Sequence, residues 1–405
     1  MSVAARHFID GAYTSGSGNR NFENFNPVNS ASLGFVPEGG AAEVDAAVAA
    51  ANAALSGPWG VMSVTERAEL LHKVADGITA RFDEFFAAEV SDTGKPKSLA
   101  AHIDIPRGAA NFKVFADLVK NVGSEHFSMP TPDGTGAVNY ALRVPKGVIA
   151  VISPWNLPLL LMTWKVGPAL ACGNCVVVKP SEETPLIATL LGEVMNEAGI
   201  PKGVYNVVHG FGPDSAARGV RDVSFELGGK NPALEFADCN LDKAIEGTLR
   251  SVFANCGQVC LSTERIYVER PIFDEFTARL KAGAEALTPG APEDPNTNLG
   301  PLISQEHRAK VTSYYARARE EGAEIITGGG VPDMPDALAG GSWIEPTIWT
   351  GLGDQSAVIR EEIFGPCCHI RPFDEEEEAV ALANDTPYGL CCSLWTENLS
   401  RAHRV

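Results

Sequence analysis

The first part of the chain has apolar residues at three- and four-residue spacing, which is the period of an amphipathic helix. The pattern predicts three helices, over residues 41–55, 66–81 and 82–94. The segment that precedes them, GSGNRNFENFNP, is polar and rich in turn-forming residues. We therefore expect a helical region that follows this turn-rich N-terminal segment.

From Arg143 onward, short β-branched runs alternate with longer segments of helical length. The expected order is strand, helix, strand, helix and strand, over residues 147–153, 159–173, 175–181, 184–199 and 203–210. This order predicts parallel strands joined by right-handed crossovers, as in a doubly wound sheet. Ligands of such sheets bind beyond the carboxyl ends of the strands, and the segments SPWN, KPSE and HGFGP fall at that edge.

After residue 226 the alternation of strands and helices resumes. The clearest elements are expected over residues 232–236, 241–255, 265–270 and 272–287. The charge run DEEEEAVALAND, residues 374–385, predicts a further helix whose first carboxylates suit the positive end of the helix dipole. The fold class is therefore predicted to be α/β, with two successive α/β regions.

The composition is that of a soluble globular protein, with 45% hydrophobic and 20% charged residues. At 405 residues the chain is long enough for two or three domains. The 51 acidic residues exceed the 32 basic ones, so the formal net charge is −19. Such an acidic surface argues against nucleic acid or an anionic membrane as a partner, but it leaves room for a local basic pocket.

Two further features predict a cytoplasmic protein. The longest apolar run, LPLLLMTW, is far too short to span a bilayer, and the N-terminal segment lacks the apolar core of a signal peptide. Nine cysteines, an odd number, occur without a repeating spacing. This usage fits a reducing compartment better than a disulfide framework.

The stretch FANCGQVCLSTERI places Cys256 and Cys260 four positions apart. Spacing alone leaves four alternatives: a metal clip, a disulfide, buried packing or a nucleophile. A zinc site would need two further ligands, and the eight dispersed histidines do not suggest them, so no metal site is expected. Free cysteines are most often buried packing residues, and only neighbouring motifs argue otherwise.

Five motifs occur in one order along the chain: SPWNLP (153–158), KPSEETP (179–185), ELGGKNP (226–232), NCGQVC (255–260) and EEIFGP (361–366). Together they resemble the NAD(P)-dependent aldehyde dehydrogenase superfamily. Within it, HIDIPRGAANF (102–112), SPWNLPL and the neighbourhood of Cys260 are most similar to the 2-hydroxymuconic and 2-aminomuconic semialdehyde dehydrogenases. The resemblance implies oxidation of a small aldehyde that carries a carboxylate, with NAD as the cofactor.

The same resemblance implies a Rossmann-type parallel-sheet domain for the cofactor, a second α/β domain for catalysis and an oligomerisation arm. The cofactor domain is expected over residues 1–120 and 140–226, the arm over 121–139 and the catalytic domain over 227–405. A homodimer or a homotetramer is implied as well.

The catalytic residues also follow from the resemblance. Cys260 corresponds to the family's nucleophile, which forms a thiohemiacetal and then a thioester. Glu226 corresponds to the general base for the deacylating water, a task that suits a carboxylate with a raised pKa in an apolar pocket. The side-chain amide of Asn156 and the backbone N–H of Cys260 correspond to the oxyanion hole. The residues themselves leave alternatives, because Glu226 could be a turn charge and Asn156 could cap the helix after it.

The cofactor contacts implied by the resemblance are Ile152, Ser153, Pro154, Trp155, Lys179, Ser181, Glu182, Gly212, Leu227, Glu362 and Phe364. Lys179 corresponds to the residue that contacts the adenosine ribose. Glu362 and Phe364 correspond to those that hold the nicotinamide ribose and ring. Glu182 favours NAD over NADP, because a carboxylate repels a 2′-phosphate.

The substrate contacts implied in the same way are Arg107, Asn156 and Leu157. Arg107, in DIPRG, corresponds to the residue that binds the distal carboxylate of the semialdehyde. A guanidinium suits this task because it forms two parallel charge-assisted hydrogen bonds with a carboxylate. A surface ion pair is the alternative for Arg107.

Only thirteen residues separate Gly212 from Glu226, where the family has roughly 30 residues more, the size of one βα unit. The turn of that unit would lie against the pyrophosphate of the cofactor. By the same comparison the catalytic domain is C-terminally incomplete at Val405. Two other functions stay open: a catalytically incompetent homologue with a binding or assembly role, and a cysteine-dependent esterase.

Overall fold

The computed structural model describes residues 4–18, 20–211 and 224–405. They form two compact units. The first unit comprises the described residues of 1–24, 32–92 and 100–220, and the second those of 25–31, 93–99 and 221–405. Among the described residues, no helix is both long and apolar enough to cross a membrane.

The described elements as far as Val207 are strands and helices, which alternate from Val148 onward. In chain order they are β1 (His7–Ile9), β2 (Ala12–Thr14), β3 (Asn21–Phe25), β4 (Ser32–Pro37), α1 (Ala41–Ser56), α2 (Pro58–Val61), α3 (Val64–Ala80), α4 (Phe82–Thr93), α5 (Lys97–Leu99), α6 (Ile105–Val119), β5 (His126–Met129), β6 (Ala137–Tyr140), β7 (Val148–Ile152), α7 (Pro158–Ala171), β8 (Cys175–Lys179), α8 (Leu186–Ala198) and β9 (Tyr205–Val207). A π-helical turn, Ala100–Asp104, leads into α6.

The first unit contains a five-stranded sheet in the order β2-β1-β9-β8-β7. Strands β7, β8 and β9 pair in parallel, whereas β1 pairs with β9 and β2 in antiparallel fashion. Helices α7 and α8 connect the parallel strands, so the predicted strand–helix alternation is confirmed. Strand β9 is shorter than the predicted 203–210 at both ends. It begins after Gly203, whose positive φ of 79° is not a strand conformation, and it ends before His209, whose N–H bonds to the ring of His7.

Helices α3, α6, α7 and α8 supply much of the core around this sheet. Phe112 and Leu170 are fully shielded from solvent, and burying such a side chain stabilises a fold by roughly 1.5–3 kcal/mol. Helices α6 and α7 approach closely at Gly108, where a Cβ atom would lie 2.5 Å from Cγ of Leu159. Glycine at this position therefore permits the crossing of the two helices.

The start of α3 is marked by a capping box, a local signal that the spacing of apolar residues does not reveal. The helix begins at Val64, two residues before the predicted start at 66. The hydroxyl of Ser63 accepts from the N–H of Glu66 at 3.2 Å, and the Glu66 carboxylate accepts from the N–H of Ser63 at 2.8 Å. This reciprocal capping box satisfies two N–H groups of the first turn, so SVTE marks the true start of the helix.

An exposed hairpin lies between α6 and β7. Strands β5 and β6 pair in antiparallel fashion, with Phe127 opposite Asn139 and Ser128 opposite Val138. Phe127, Val138 and Tyr140 are all largely exposed. The predicted arm, residues 121–139, thus covers most of a hairpin with apolar side chains at the surface.

The second unit has its own sheet, with most strands in parallel. Its elements are β10 (Asn231–Glu235), α9 (Leu241–Phe253), β11 (Thr263–Glu269), α10 (Phe273–Glu285), α11 (Gln305–Glu320), β12 (Glu324–Thr327), β13 (Thr347–Thr350), α12 (Ala357–Arg360), β14 (Cys367–Phe373), α13 (Glu376–Asn384), β15 (Ser393–Trp395) and α14 (Leu399–Arg404). The strand order is β12-β13-β14-β11-β10-β15, and only the β12–β13 pair is antiparallel among these described strands. The predicted α/β fold class is therefore confirmed in both units.

Glu235, the last residue of β10, is a carboxylate inside this second core. It is fully buried, and burial raises its pKa to about 8, although the hydroxyl of Thr248 donates to Oε1 at 2.8 Å. Its Oε2 has no hydrogen-bond partner among the described residues. The folded chain therefore holds a proton here that the unfolded chain releases near its ordinary pKa of 4.5. Between these two values the contribution of Glu235 to stability falls as pH rises.

Glu235→Gln is expected to stabilise the protein at high pH, because glutamine stays neutral and keeps an acceptor for Thr248. The free energy of unfolding should rise by roughly 4 kcal/mol at pH 8 and by about 1 kcal/mol at pH 5. Chemical denaturation at both pH values measures the difference. Glu246→Gln, the same change at an exposed position of α9, is the control. An equal gain at both pH values would contradict the assigned cause.

Candidate active site

In the first unit, residues 152–157 end β7 and lead into α7. The N–H of Ser153 donates to the carbonyl of Lys179 at 3.1 Å, which holds this segment to the end of β8. Asn156 is buried, whereas Ile152 is exposed. The N-cap position of α7 is Leu157 and not Asn156. The segment thus presents a buried amide directly before the helix.

Lys179 is the last residue of β8, and its buried side chain connects the ends of two strands. Its Nζ donates to the carbonyl of Gly210, which follows β9, at 3.0 Å and lies 3.3 Å from Oε2 of Glu182. In the same turn, the hydroxyl of the buried Ser181 accepts from the N–H of Glu183 at 3.3 Å. The three strand ends predicted to share the carboxyl edge of the sheet are therefore held together.

Arg107 lies in the first turn of α6 and is exposed. The crossing of α6 and α7 at Gly108 and Leu159 places it beside the helix that begins directly after Leu157. Within the described part of the chain its guanidinium forms no ion pair. The surface ion pair considered for Arg107 is therefore not formed there, and the group is open to an anionic ligand.

In the second unit, the loop that carries Cys260 begins with a strained left-handed turn. Directly after α9, Asn255 and Cys256 have positive φ angles of 52° and 56°. Such conformations cost about 1–3 kcal/mol each and persist only where contacts hold them. The side chains of Gln258 and Asn255 donate to each other's backbone carbonyls at 3.0 and 3.2 Å. Oε1 of Gln258 also accepts from the N–H of Ile303 at 2.9 Å, so the loop is fixed within its unit.

Cys256 and Cys260 have different environments. Cys256 is buried among apolar side chains, and burial raises the pKa of its thiol well above the usual range. All nine cysteines are free, which excludes the disulfide. Across the described ranges, no group of three or more His, Cys, Asp or Glu side chains could hold a metal ion. Cys256 is therefore a packing residue, whereas Cys260 is only half-buried.

The surroundings of the Cys260 thiol disfavour its ionisation. Burial raises its pKa, and the negative charges of Glu226 and Glu362 raise it further. The side-chain amide of Asn231 donates to the carbonyls of Cys260 at 2.8 Å and Ser262 at 2.9 Å, which fixes the backbone around the thiol. A nucleophilic reaction at neutral pH therefore requires a base that removes the proton.

Glu226 does not lie in the expected apolar pocket. It is exposed, and its neighbours Phe225 and Leu227 are exposed as well, with exposed fractions of 67% and 68%. Its charge nevertheless acts on Cys260. The thiol and the carboxylate are therefore electrostatically coupled, and the carboxylate is the more exposed of the two groups.

Glu362 rests on a strip of backbone that has no side chains. Its Oε1 accepts from the N–H of Gly229 at 2.8 Å. A Cβ atom on Gly228 would lie 2.2 Å from Oε2 of Glu362, so only glycine allows this approach. Phe364, two residues on, has a positive φ of 63°, and its carbonyl accepts from Nε2 of His307 at 2.8 Å. The segment around Glu362 is therefore held in a specific, strained conformation.

Two buried charged residues in this unit were not among the predicted site residues. Lys230 and Glu264 form an ion pair at the starts of β10 and β11. A signal for them exists in the sequence, because a charged residue at the start of each of two buried strands is unusual. Local patterns, however, do not show that residues 34 positions apart are partners.

The structure thus collects the predicted residues in two groups, one in each unit. The first unit holds Arg107, Ile152, Ser153, Pro154, Trp155, Asn156, Leu157, Lys179, Ser181 and Glu182. The second unit holds Glu226, Leu227, Cys260, Glu362 and Phe364. Gly212 lies outside the described residues.

Comparisons with known proteins give one consistent family. The model of the aldehyde dehydrogenase family matches residues 13–222 and, separately, 213–405. A 2-hydroxymuconic semialdehyde dehydrogenase of Pseudomonas sp. (strain CF600) is 69% identical over 429 aligned positions, which cover 99% of this chain and 88% of that protein. A 2-aminomuconic 6-semialdehyde dehydrogenase of Pseudomonas sp. is 50% identical, with coverage of 99% and 87%. Among solved structures, the NAD+ complex of an aldehyde dehydrogenase from Bacillus cereus superposes with a TM-score of 0.92 at 33% identity, covering 99% of this chain and 86% of that one.

The comparisons also bear on the short connection before Glu226. The alignment of 429 positions is longer than the chain of 405 residues, so the relative has residues without a counterpart here. The family match divides into two segments that overlap at residues 213–222. This agrees with the predicted shortfall between Gly212 and Glu226.

Proposed function

The chain belongs to the aldehyde dehydrogenase family, and we propose that it oxidises a semialdehyde with a distal carboxylate, of the 2-hydroxymuconic or 2-aminomuconic type, to the acid, using NAD. The observation that carries the proposal is the 69% identity to a 2-hydroxymuconic semialdehyde dehydrogenase over nearly the whole chain. The relative at 50% identity is a 2-aminomuconic 6-semialdehyde dehydrogenase, so both names indicate a muconic semialdehyde.

Cys260 is the proposed nucleophile. Its sulfur attacks the aldehyde carbon, loss of hydride from the tetrahedral adduct leaves a thioester, and water releases the acid. NAD, when bound, supplies the hydride acceptor. Because burial and two carboxylates raise the pKa of the thiol, its proton must be removed as the attack occurs.

Glu226 is the proposed base for this proton and for the later deprotonation of water. Its charge acts on Cys260, which supports a role in both steps. Because the carboxylate is exposed, a proton that it accepts can pass directly to bulk solvent. The surface position of Glu226 is therefore compatible with a base that must regenerate in every cycle.

The amide of Asn156 and the backbone N–H of Cys260 are the proposed donors to the oxyanion. Each is held within its own unit: the side chain of Asn156 is buried, and the backbone of Cys260 is fixed by Asn231. Donors held in place in advance stabilise developing charge without reorganisation, and loss of one typically costs about 100- to 1,000-fold in rate.

The residues present fit NAD. The ammonium of Lys179 and the carboxylate of Glu182, 3.3 Å apart, form a donor–acceptor pair suited to ribose hydroxyls and repellent to a 2′-phosphate. Glu362 offers a half-buried carboxylate over Gly228 and Gly229 for the nicotinamide ribose, with Phe364 beside it for the ring. The other proposed contacts are Ile152, Ser153, Pro154, Trp155, Ser181, Leu227 and Gly212.

Arg107 is the proposed site for the distal carboxylate of the substrate. Its guanidinium is exposed and forms no ion pair with any described residue, and the crossing at Gly108 places it beside the helix that follows Asn156 and Leu157. A planar guanidinium binds a carboxylate through two parallel hydrogen bonds, which fixes orientation as well as charge. Leu157 would contact the carbon chain of the same substrate.

Arg107→Ala is expected to raise KM for a carboxylate-bearing semialdehyde by roughly 10- to 100-fold, because hydrogen bonds to a charged group are lost. KM for a neutral aldehyde of similar length should change by less than about twofold. Arg107→Lys should be intermediate, since it keeps the charge and loses the second parallel bond. Steady-state kinetics with the two aldehydes measures the effect. An equal rise in KM for both would remove the proposed role of Arg107.

We further propose a homodimer or homotetramer in the cytoplasm. The apolar side chains of the β5–β6 hairpin, exposed in the single chain, support assembly through this arm. Nine free cysteines support a reducing compartment.

The proposed function is tested by supplying 2-hydroxymuconic semialdehyde and NAD and following NADH absorbance. Formation of NADH together with the acid supports it. A folded chain without NAD affinity in calorimetry would overturn it and indicate a binding or assembly role. Ester hydrolysis without NADH from any aldehyde would instead indicate a cysteine esterase.

A further inference from the structure

A buried ion pair that the proposed chemistry does not use lies in the second unit. The side chains of Lys230 and Glu264 are 1% and 3% exposed, and the ammonium of Lys230 donates to Oε2 of Glu264. Removing two charges from water costs several kcal/mol per ion, which the attraction between them often only offsets. Such a pair is therefore poorly explained by stability alone, and its other contacts indicate what it does.

The Glu264 carboxylate also binds two consecutive backbone amides. Its Oε1 accepts from the N–H of Phe364 at 3.0 Å and from that of Ile363 at 3.2 Å, and its Oε2 lies 3.1 Å from the latter nitrogen. Hydrogen bonds to an ionised acceptor are roughly twice as strong as neutral ones. They act on a residue that needs support, because Phe364 has a positive φ of 63°. Glu264 therefore stabilises the strained conformation of the segment after Glu362.

Lys230 connects the same carboxylate to the glycine strip beneath Glu362. It directly follows Gly228, which lies against the Glu362 carboxylate, and Gly229, whose N–H donates to that carboxylate. Residues 228–230 and residues 362–364 are thus joined twice. Glu362 forms one connection by its bond to Gly229, and Glu264 forms the other by its bonds to Lys230 and to the amides of residues 363 and 364. Two attachments fix both the position and the orientation of the Glu362 carboxylate, which a single hydrogen bond does not.

We propose that Glu264, with Lys230 as its counter-charge, is a positioning residue for cofactor binding: it holds residues 362–364 so that Glu362 and Phe364 face the nicotinamide ribose and ring. The inference rests on the proposed function, in which these two residues contact NAD. Lys230 bonds to Oε2 of the buried carboxylate, while its Oε1 accepts from the two amides. Neither Glu264 nor Lys230 is required to touch the cofactor.

A pair of double variants tests this role. Both K230M/E264Q and K230M/E264L remove the buried charges, but only glutamine keeps an acceptor for the N–H groups of Ile363 and Phe364. We expect K230M/E264Q to bind NAD within about threefold of the unchanged chain and K230M/E264L to bind it roughly tenfold more weakly, because two buried donors lose their acceptor. Calorimetry with NAD alone gives Kd, and thermal unfolding gives the folded fraction.

Kinetics separates positioning from general damage. In K230M/E264L, KM for NAD should rise while kcat at saturating NAD, KM for the aldehyde and the rate of Cys260 alkylation without NAD stay within about twofold. A merely structural defect would lower kcat through loss of active protein and leave KM for NAD unchanged. If K230M/E264L does not fold, Glu264→Asp replaces it, since aspartate keeps the charge but withdraws the acceptor from the amides.

The outcomes are distinct. Equal NAD affinity in the two double variants, or unaltered affinity in Glu264→Asp where that variant replaces K230M/E264L, overturns the inference and leaves the proposed function intact. No NAD binding by the unchanged chain overturns the proposed function and the inference together. Weaker binding confined to the variants that remove or withdraw the acceptor supports both.

Discussion

Replacing Cys260 by alanine is expected to abolish NADH formation, with kcat lowered at least about a thousandfold, because the tetrahedral adduct and the thioester form on this thiol. NAD affinity should be unchanged, since the proposed cofactor contacts do not include the sulfur. Stopped-flow absorbance with a muconic semialdehyde measures the first quantity, and calorimetry measures the second.

The control for this variant is Cys172→Ala, which removes an exposed thiol in the first unit and should turn over like the unchanged chain. Alkylation of the unchanged chain before assay should reproduce the defect of Cys260→Ala. Turnover of Cys260→Ala close to the unchanged rate would show that the covalent mechanism is wrong.

Replacing Glu226 by glutamine is expected to lower steady-state turnover by roughly 100- to 1,000-fold, because the deacylating water loses its base. Because Glu226 is also the proposed base for the thiol, formation of NADH in the first turnover should be slowed at neutral pH as well. At a pH high enough to ionise Cys260 without a base, about one equivalent of NADH per active site should form before the slow deacylation phase. Rapid mixing with excess aldehyde and NAD distinguishes the two phases. Glu246→Gln, at an exposed position outside the site, should show neither change.

A second measurement on Glu226→Gln tests its coupling to the thiol. The charge of Glu226 contributes to the raised pKa of Cys260, so its removal should lower that pKa. The pH midpoint of Cys260 alkylation by iodoacetamide should therefore move to lower pH. An unchanged midpoint, or a steady-state rate equal to that of the unchanged chain, would place Glu226 outside the roles proposed for it.

Much of the fold could be predicted because its signals are local. The helix predicted over 41–55 is found as Ala41–Ser56, and the strand predicted over 175–181 as Cys175–Lys179. Such elements depend on the periodicity of adjacent residues, on capping residues such as Ser63 and on turn residues at their ends. Parallel pairing followed from the alternation of strands and helices, since crossovers of this length join parallel neighbours.

In the candidate site, some features could be predicted from local motifs, whereas others depend on contacts between distant residues. Cys260 and Glu226 lie in short motifs, so their chemistry could be predicted from neighbouring residues. The solvent exposure of Glu226 could not, because exposure depends on which distant segments cover a position. Nor did the motif EEIFGP show that Glu362 rests on Gly228, because that contact joins residues more than a hundred positions apart.

By itself the sequence determined the α/β elements, the parallel pairing of the alternating strands, the family resemblance and the identity of the proposed nucleophile. Only the tertiary structure decided that Cys256 is packed while Cys260 is half-buried, that Arg107 forms no ion pair with a described residue, and that Glu264 links Lys230 to the amides of residues 363 and 364. The physical reason is the separation along the sequence over which each kind of interaction acts. Periodicity, capping and motifs act between residues a few positions apart, whereas burial, charge pairing and backbone strain depend on which segments the fold brings together.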